Sequence, residues 1–307
     1  MKSWRSSIPA LILVVLAVPA GAQNKFSRPP DLANVSYGPY ERNVVDLWKA
    51  RSERPTPLVV FIHGGGFRAG DKSNLSPILL DLCLDAGISV AAINYRLTQT
   101  APYPAPMHDG ARAIQFLRSR AREWNLDPRR IAATGGSAGA GISLWVGFHD
   151  DMADPKSDDS VKRQSTRLTA MGVFGAQTTY DPRAIAKVIG EAAARHPALE
   201  PFYGLHGAEL QTERAYQLFA DASPITHLSK GGPPAFLYYA EPNQPLPSDA
   251  KPGQGMHHPR FGPFLKERMD KLGIECVLHH KDEYTGDPMP QVNRQMVEFF
   301  QKYLRAN

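Results

Sequence analysis

Gly135-Gly136-Ser137-Ala138-Gly139 has the form G-x-S-x-G and stands between an apolar run ending at Thr134 and a second one through Ile142, Leu144 and Phe148. A serine on so sharp a strand-to-helix turn is held in a strained backbone conformation with its hydroxyl exposed, and small neighbours let strand and helix approach. The helix N-terminus behind it favours developing negative charge. The chemistry open to Ser137 is therefore nucleophilic attack on an acyl carbon. Upstream, His63-Gly64-Gly65-Gly66 follows the apolar run Leu58 to Ile62. Consecutive glycines leave backbone N–H groups unobstructed, so those of Gly64 and Gly65, with that of Ala138, are expected to face the oxygen of a tetrahedral intermediate, where one lost donor costs ~3 kcal/mol. His63 is read as structural, orienting this loop from beneath.

The elements that must position these groups alternate in kind, as in βαβ units with a mostly parallel sheet. Strands are expected over Leu58 to Ile62, Ser89 to Tyr95, Arg130 to Gly135, Leu168 to Gly175, Ala235 to Ala240 and Glu275 to His280, with Val35 to Tyr37 and Val44 to Trp48 as an antiparallel edge pair. Apolar residues at helical spacing predict helices over Leu75 to Ala86, Met107 to Trp124, Pro259 to Leu272 and Val292 to Leu304. Between Gln177 and Gly232, helical patterns at Ala184 to Arg195 and Glu213 to Phe219 interrupt the alternation and read as a small helical insertion, a candidate lid (residues 177–232).

The chain has 307 residues, 42% hydrophobic and 21% charged, which excludes disordered, collagenous and coiled-coil classes. Lys2 and Arg5 precede the apolar run Ala10 to Val18, and Ala20-Gly21-Ala22 has the form of a cleavage site, so residues 1–22 are expected to be a secretory signal peptide. The mature chain, residues 23–307, is then expected to be one secreted or periplasmic domain without a membrane span. The 35 Lys and Arg against 30 Asp and Glu give +5, and setting aside Lys2 and Arg5 leaves +3. Basic residues are scattered and not interleaved with aromatics, so no nucleic-acid partner is expected. Cys83 and Cys276 each lie in an apolar stretch and are read as buried thiols, with a disulfide as the alternative open to an exported chain. Asp150, Asp151, Asp154, Asp158 and Asp159 do not match an EF-hand loop and are read as a solvated turn.

Together these motifs resemble the α/β-hydrolases of the hormone-sensitive-lipase-like and BD-FAE-like esterase type. The stretch Val35 to Ala140 carries the resemblance, with Asn94-Tyr95-Arg96-Leu97, Pro104 and Asp109 added to the two glycine motifs; Ala222-Ser223-Pro224 and Pro233-Pro234 follow later. The resemblance implies an α/β fold with an eight-stranded, mostly parallel sheet, helices on both faces, and ester hydrolysis through an acyl-serine with no metal or organic cofactor.

The second half departs from that pattern. The family places an aspartate after the strand Ala235 to Ala240, where this chain reads Glu241-Pro242-Asn243-Gln244. Asn243 falls at the acid's place and would orient an imidazole without stabilising its charged form; Glu241 and Asp249 are the alternative acids. The family's histidine belongs in the loop after the last strand, yet residues 281–287 contain none. The substitute is sought in His257-His258, whose loop opens on the same sheet edge as Ser137, with His258 the better candidate base and the strand-end His279 and His280 behind it. His258 has a second reading, as a packing or capping group for the helix begun at Pro259.

These readings lead to a secreted serine hydrolase, a carboxylesterase for short acyl or carbohydrate-linked esters. The alternative, raised by the displaced base and acid, is a catalytically impaired α/β-hydrolase scaffold (a pseudoenzyme) that binds a ligand or partner. A serine peptidase stands further off.

Overall fold

The computed structural model describes residues 25–305, so the expected signal peptide lies outside the described residues. Eight strands form one sheet in the order β1-β2-β4-β3-β5-β6-β7-β8: β1 Leu32–Ser36, β2 Val44–Trp48, β3 Thr56–Ile62, β4 Ser89–Ile93, β5 Leu126–Gly136, β6 Ala170–Phe174, β7 Ala235–Tyr239 and β8 Cys276–His280. β1 and β2 are the antiparallel edge pair, and from β4 to β8 every pairing is parallel. The helices follow the chain as α1 Pro77–Asp85, α2 Ala105–Ser119, α3 Ala121–Trp124, α4 Ala138–Phe148, α5 Pro182–Val188, α6 Glu191–Ala194, α7 Leu199–Tyr203, α8 Glu213–Ala222, α9 Pro224–His227, α10 Phe261–Lys271 and α11 Met289–Tyr303.

Strand periodicity divides the core into two layers. On β3, Leu58, Val60 and Ile62 join the layer containing α2, α4 and α10, whereas Val59 faces the layer made by α1 and α11. Each such side chain contributes roughly 1.5–3 kcal/mol by burial. Both thiols are free and buried, Cys83 in α1 and Cys276 in β8, and burial pushes each up to about 12.

Several element boundaries differ from the sequence expectation for local reasons. The helix expected over Met107 to Trp124 is two helices, meeting at Arg120. The one expected over Ala184 to Arg195 is broken at Gly190, whose φ of +140° no other residue adopts comfortably. α7 was not foreseen, because Pro197 and Pro201 leave too short a run to show a period. The helices α5 to α9 all stand between β6 and β7. Among the described residues no helix is long and apolar enough to cross a membrane.

Candidate active site

Register places the pieces side by side. Ile62, the last residue of β3, pairs with Gly135 of β5, so the loop from His63 leaves the sheet beside the turn that carries Ser137. Gly136 pairs with Phe174, and Phe174 with Tyr238, which brings the connection after β7 to the same carboxyl edge.

Ser137 has φ +54° and ψ −119° between β5 and α4, a conformation that costs a non-glycine residue about 1–3 kcal/mol. Its N–H donates to the Phe174 carbonyl at 3.0 Å and its carbonyl accepts from Gly141 N–H at 3.0 Å, so strand and helix together hold the strained turn. The turn needs glycine at 139: a Cβ there would lie 1.9 Å from the Ile62 carbonyl oxygen. Gly64 is also tightly packed, since a Cβ on it would come within 2.8 Å of the Gly136 oxygen and 3.5 Å of the Ser137 Cβ.

His63 is fully buried beneath this loop. Its Nδ1–H donates to the Gly64 carbonyl at 2.7 Å, and its Nε2 accepts from the Arg42 guanidinium at 3.1 Å. Its ring stacks on Tyr95, whose hydroxyl donates to the His63 carbonyl at 3.0 Å. Burial lowers the imidazole to about 4, and the Arg42 charge adds to this against the opposing hydrogen bond to Gly64, so His63 stays neutral. The run Asn94-Tyr95-Arg96 is thereby accounted for. The Asn94 amide bonds Lys72 N–H and the Asp71 carboxylate, Tyr95 supports His63, and Arg96 forms a forked pair with the buried Asp109 of α2.

The imidazole that meets the serine is His257. Its Nε2 lies 2.7 Å from Ser137 Oγ, and its Nδ1 lies 3.3 Å from a Glu241 carboxylate oxygen. Imidazole and carboxylate are each about one-third exposed. His258, the expected base, does not reach this position. It is 2% exposed, its Nε2–H donates to the Gln244 carbonyl at 2.8 Å and its Nδ1 accepts from Arg260 N–H at 3.2 Å. This is the packing and capping alternative, and it fastens both ends of the connection that carries Glu241 and His257. Of the three candidate acids, Glu241 faces the imidazole, while Asn243 and Asp249 are exposed.

The strand-end histidines are engaged elsewhere. His279 Nδ1 meets Glu283 at 2.6 Å, and His280 Nε2–H donates to the Glu241 carbonyl at 2.7 Å. The acidic run beyond α4 is spent on local structure: Asp151 accepts from Thr166 N–H, and Asp159 pairs with Arg112 at 2.7 Å.

Sequence reasoning missed His257 because two adjacent histidines offer the same chemistry. The usable signal was Pro259, which restricts the residue before it to extended backbone. From there the His258 ring folds over the N–H two residues on, a local side-chain-to-backbone bond.

A small, mostly apolar slot is lined by Phe67, Tyr180, Ile185, Phe202 and Met256, with Gly66 of the glycine loop and the polar Gln177 and His196. His196 and Leu199 also line a larger cleft of about 580 Å³ in the helical insertion, where Arg183, Glu191, Arg195, Glu200, Gln211 and Tyr216 are found.

Sheet order, serine turn and neighbouring glycine loop define an α/β-hydrolase fold. The chain belongs to the BD-FAE family, whose family model matches residues 45–250. It is 28% identical over 260 residues to the protein described as probable carboxylic ester hydrolase LipM of Mycobacterium tuberculosis, covering 80% of this chain and 58% of that one. With esterase LipQ of the same organism it shares 26% over 220 residues, 70% of this chain and 50% of the other. The chain thus spans between half and three-fifths of the length of these curated relatives. Among solved structures, a truncated carbohydrate esterase from gut microbiota superposes with a TM-score of 0.70 at 19% identity, covering 92% of this chain and 98% of that one. An acetyl ester-xyloside bifunctional hydrolase from Caldicellulosiruptor lactoaceticus superposes at 0.66 with 22% identity over 84% and 87% of the two chains.

Proposed function

We propose that the protein is a secreted serine carboxylesterase acting on short acyl or carbohydrate-linked esters, with Ser137, His257 and Glu241 as its triad. The observation that carries this reading is the 2.7 Å contact between His257 Nε2 and Ser137 Oγ, with Glu241 behind the ring. The chain order is serine, acid, histidine, as in α/β-hydrolases generally.

Ser137 Oγ attacks the ester carbonyl carbon as its proton passes to His257 Nε2. The Glu241 carboxylate stabilises the imidazolium, and the N–H groups of Gly64, Gly65 and Ala138 receive the oxyanion. Collapse expels the alcohol, protonated by His257, and leaves an acyl-serine. Water, deprotonated by the same imidazole, then attacks the acyl carbon and releases the carboxylic acid and free Ser137.

The narrow apolar slot, with room of only about 20 Å³, suits an acyl group no larger than acetyl. The larger cleft, with charged, amide and tyrosine side chains, suits a hydroxylated alcohol portion such as a sugar. A base and an acid supplied by one connection support an enzyme over a catalytically impaired scaffold. Export rests on residues 1–22, and a mature N-terminus near Gln23 in the extracytoplasmic fraction, read by mass spectrometry, tests it.

The deciding experiment is fluorophosphonate labelling together with hydrolysis of short acyl esters. Wild type should be labelled and turn over, and Ser137→Ala should abolish both. A folded wild type that is neither labelled nor active on a broad ester panel would return the scaffold reading.

A further inference from the structure

At the far end of α4 from Ser137 a second polar cluster plays no part in the mechanism above. One ligand atom each from His149, Asp221 and His227 lie within 4.8 Å of one another. His149 follows the last residue of α4, Asp221 is in the last turn of α8 and His227 ends α9. We propose that these three side chains bind a divalent transition-metal ion of the Zn²⁺ type, fastening the α8–α9 part of the insertion to the nucleophile helix.

The surroundings already hold the ligands as a metal site requires. A ligating histidine ordinarily donates its second ring N–H to a carbonyl or carboxylate, which fixes the tautomer. Here His149 Nδ1 is 3.0 Å from the Asp150 carbonyl and His227 Nε2 is 2.6 Å from the Asp221 carbonyl. Each ring nitrogen so engaged carries the proton, leaving Nε2 of His149 and Nδ1 of His227 with free lone pairs. The Asp221 carbonyl is fixed from a second side by Trp145 Nε1–H at 2.8 Å. The Tyr103 hydroxyl donates to one carboxylate oxygen of Asp221, which leaves the other for the ion.

The electrostatics agree. The negative end of the α4 macrodipole points at the site. Two imidazoles and one carboxylate suit Zn²⁺, Co²⁺, Ni²⁺ or Cu²⁺ better than Ca²⁺ or Mg²⁺, which prefer oxygen. Ligands about 2 Å from a tetrahedral ion lie roughly 3.3 Å apart, within reach of side-chain rotation from the observed spacing. The length of α4, 11 residues or about 16 Å, keeps the ion away from the acyl chemistry.

Chelator-treated protein should be titrated with Zn²⁺ alone by calorimetry, and its thermal unfolding followed with and without Zn²⁺ and with Ca²⁺. Expected are a single equivalent bound at micromolar or tighter affinity, a Tm raised by Zn²⁺ but not by Ca²⁺, and affinity weakened about tenfold or more in His149→Gln and in His227→Gln. Ester hydrolysis of the wild type should be the same with and without the ion. Should one variant fold poorly, the other, and the d–d absorption of the Co²⁺ form, carry the test. Absence of stoichiometric binding at 100-fold excess would overturn the proposal. So would binding that survives both substitutions, which would put the ion on another pair such as His279 and Glu283, or activity that follows the metal, which would put it at Ser137.

Discussion

The backbone carbonyl of Glu241 accepts a hydrogen bond from Nε2 of His280 at 2.7 Å, tying the carboxylate behind His257 to the end of the neighbouring strand. In the triad we propose, the last strand therefore contributes a histidine that positions the acid, while the base comes from the preceding connection. His280→Ala should lower kcat roughly 10- to 100-fold with KM changed little, because misplacing a catalytic group disturbs the transition state more than binding. His280→Gln, which keeps an N–H donor, should restore much of the loss. In a Glu241→Gln background the alanine change should cost almost nothing further. Equal losses in both backgrounds would show that His280 acts on something other than Glu241.

His257 and His258 separate cleanly by experiment. His257→Ala removes the group against Ser137 and should lower kcat roughly 10³- to 10⁶-fold at an unchanged melting temperature. His258→Ala instead removes a buried imidazole bonded at both nitrogens, with a stability loss of about 1–3 kcal/mol, a modest fall in rate and retained fluorophosphonate labelling. Ester-hydrolysis kinetics beside urea unfolding for each variant would read this, and the reverse pattern would restore His258 as the base.

Much of the architecture was legible because burial imposes a period. Val59 and Val60 face opposite layers, as strand alternation requires, and the glycine motifs could be placed because each followed a recognisable strand. The acid and base were harder, since neither is at the family's position. Glu241 was one of three acidic or amide candidates on one connection, and only the path of that connection aims it at an imidazole. The choice between His257 and His258 depends on side-chain direction at a turn, which hydrophobic pattern does not encode. The cluster joins His149 to Asp221 and His227, 72 and 78 positions later, and only the packing of α9 on α4, with α8 against α9, brings them together.

Gly139 should be among the least replaceable residues of the chain. Its added Cβ would meet backbone atoms, the Ile62 carbonyl oxygen at 1.9 Å and carbon at 2.6 Å and the His63 oxygen at 2.7 Å, none of which can rotate aside. Gly139→Ala should lose roughly 2–3 kcal/mol of stability by overpacking. It should also lose activity beyond what stability explains, because the serine turn and the glycine loop must separate. Urea midpoints with kcat/KM measured well below the unfolding transition would show this, and a variant of normal stability and rate would contradict the close approach.

Neutral His63 under the glycine loop predicts a specific acid sensitivity. The folded state holds this imidazole at about 4, against an ordinary value of 6.5, chiefly through burial. Between those values the unfolded chain binds a proton that the folded chain refuses. Stability from this group is therefore complete above pH 6.5 and declines as the pH falls toward 4, by about 3 kcal/mol over the window. His63→Gln removes the titration while offering an amide to Arg42 and the Gly64 carbonyl. It should be less stable than wild type at pH 7.5, by about 1–3 kcal/mol for imperfect replacement of the buried bonds, and the gap should narrow steadily toward pH 4.5. His108, His196 and His227 are also held below their ordinary range by burial, but they titrate in both chains and cancel from the difference. Urea unfolding of the two proteins at four pH values between 7.5 and 4.5 measures it. Parallel stability curves would mean that His63 titrates in the fold as it does in the unfolded chain, and a gap that widens toward acid would mean that the loop behind Ser137 rests on a charged imidazolium instead of a neutral ring.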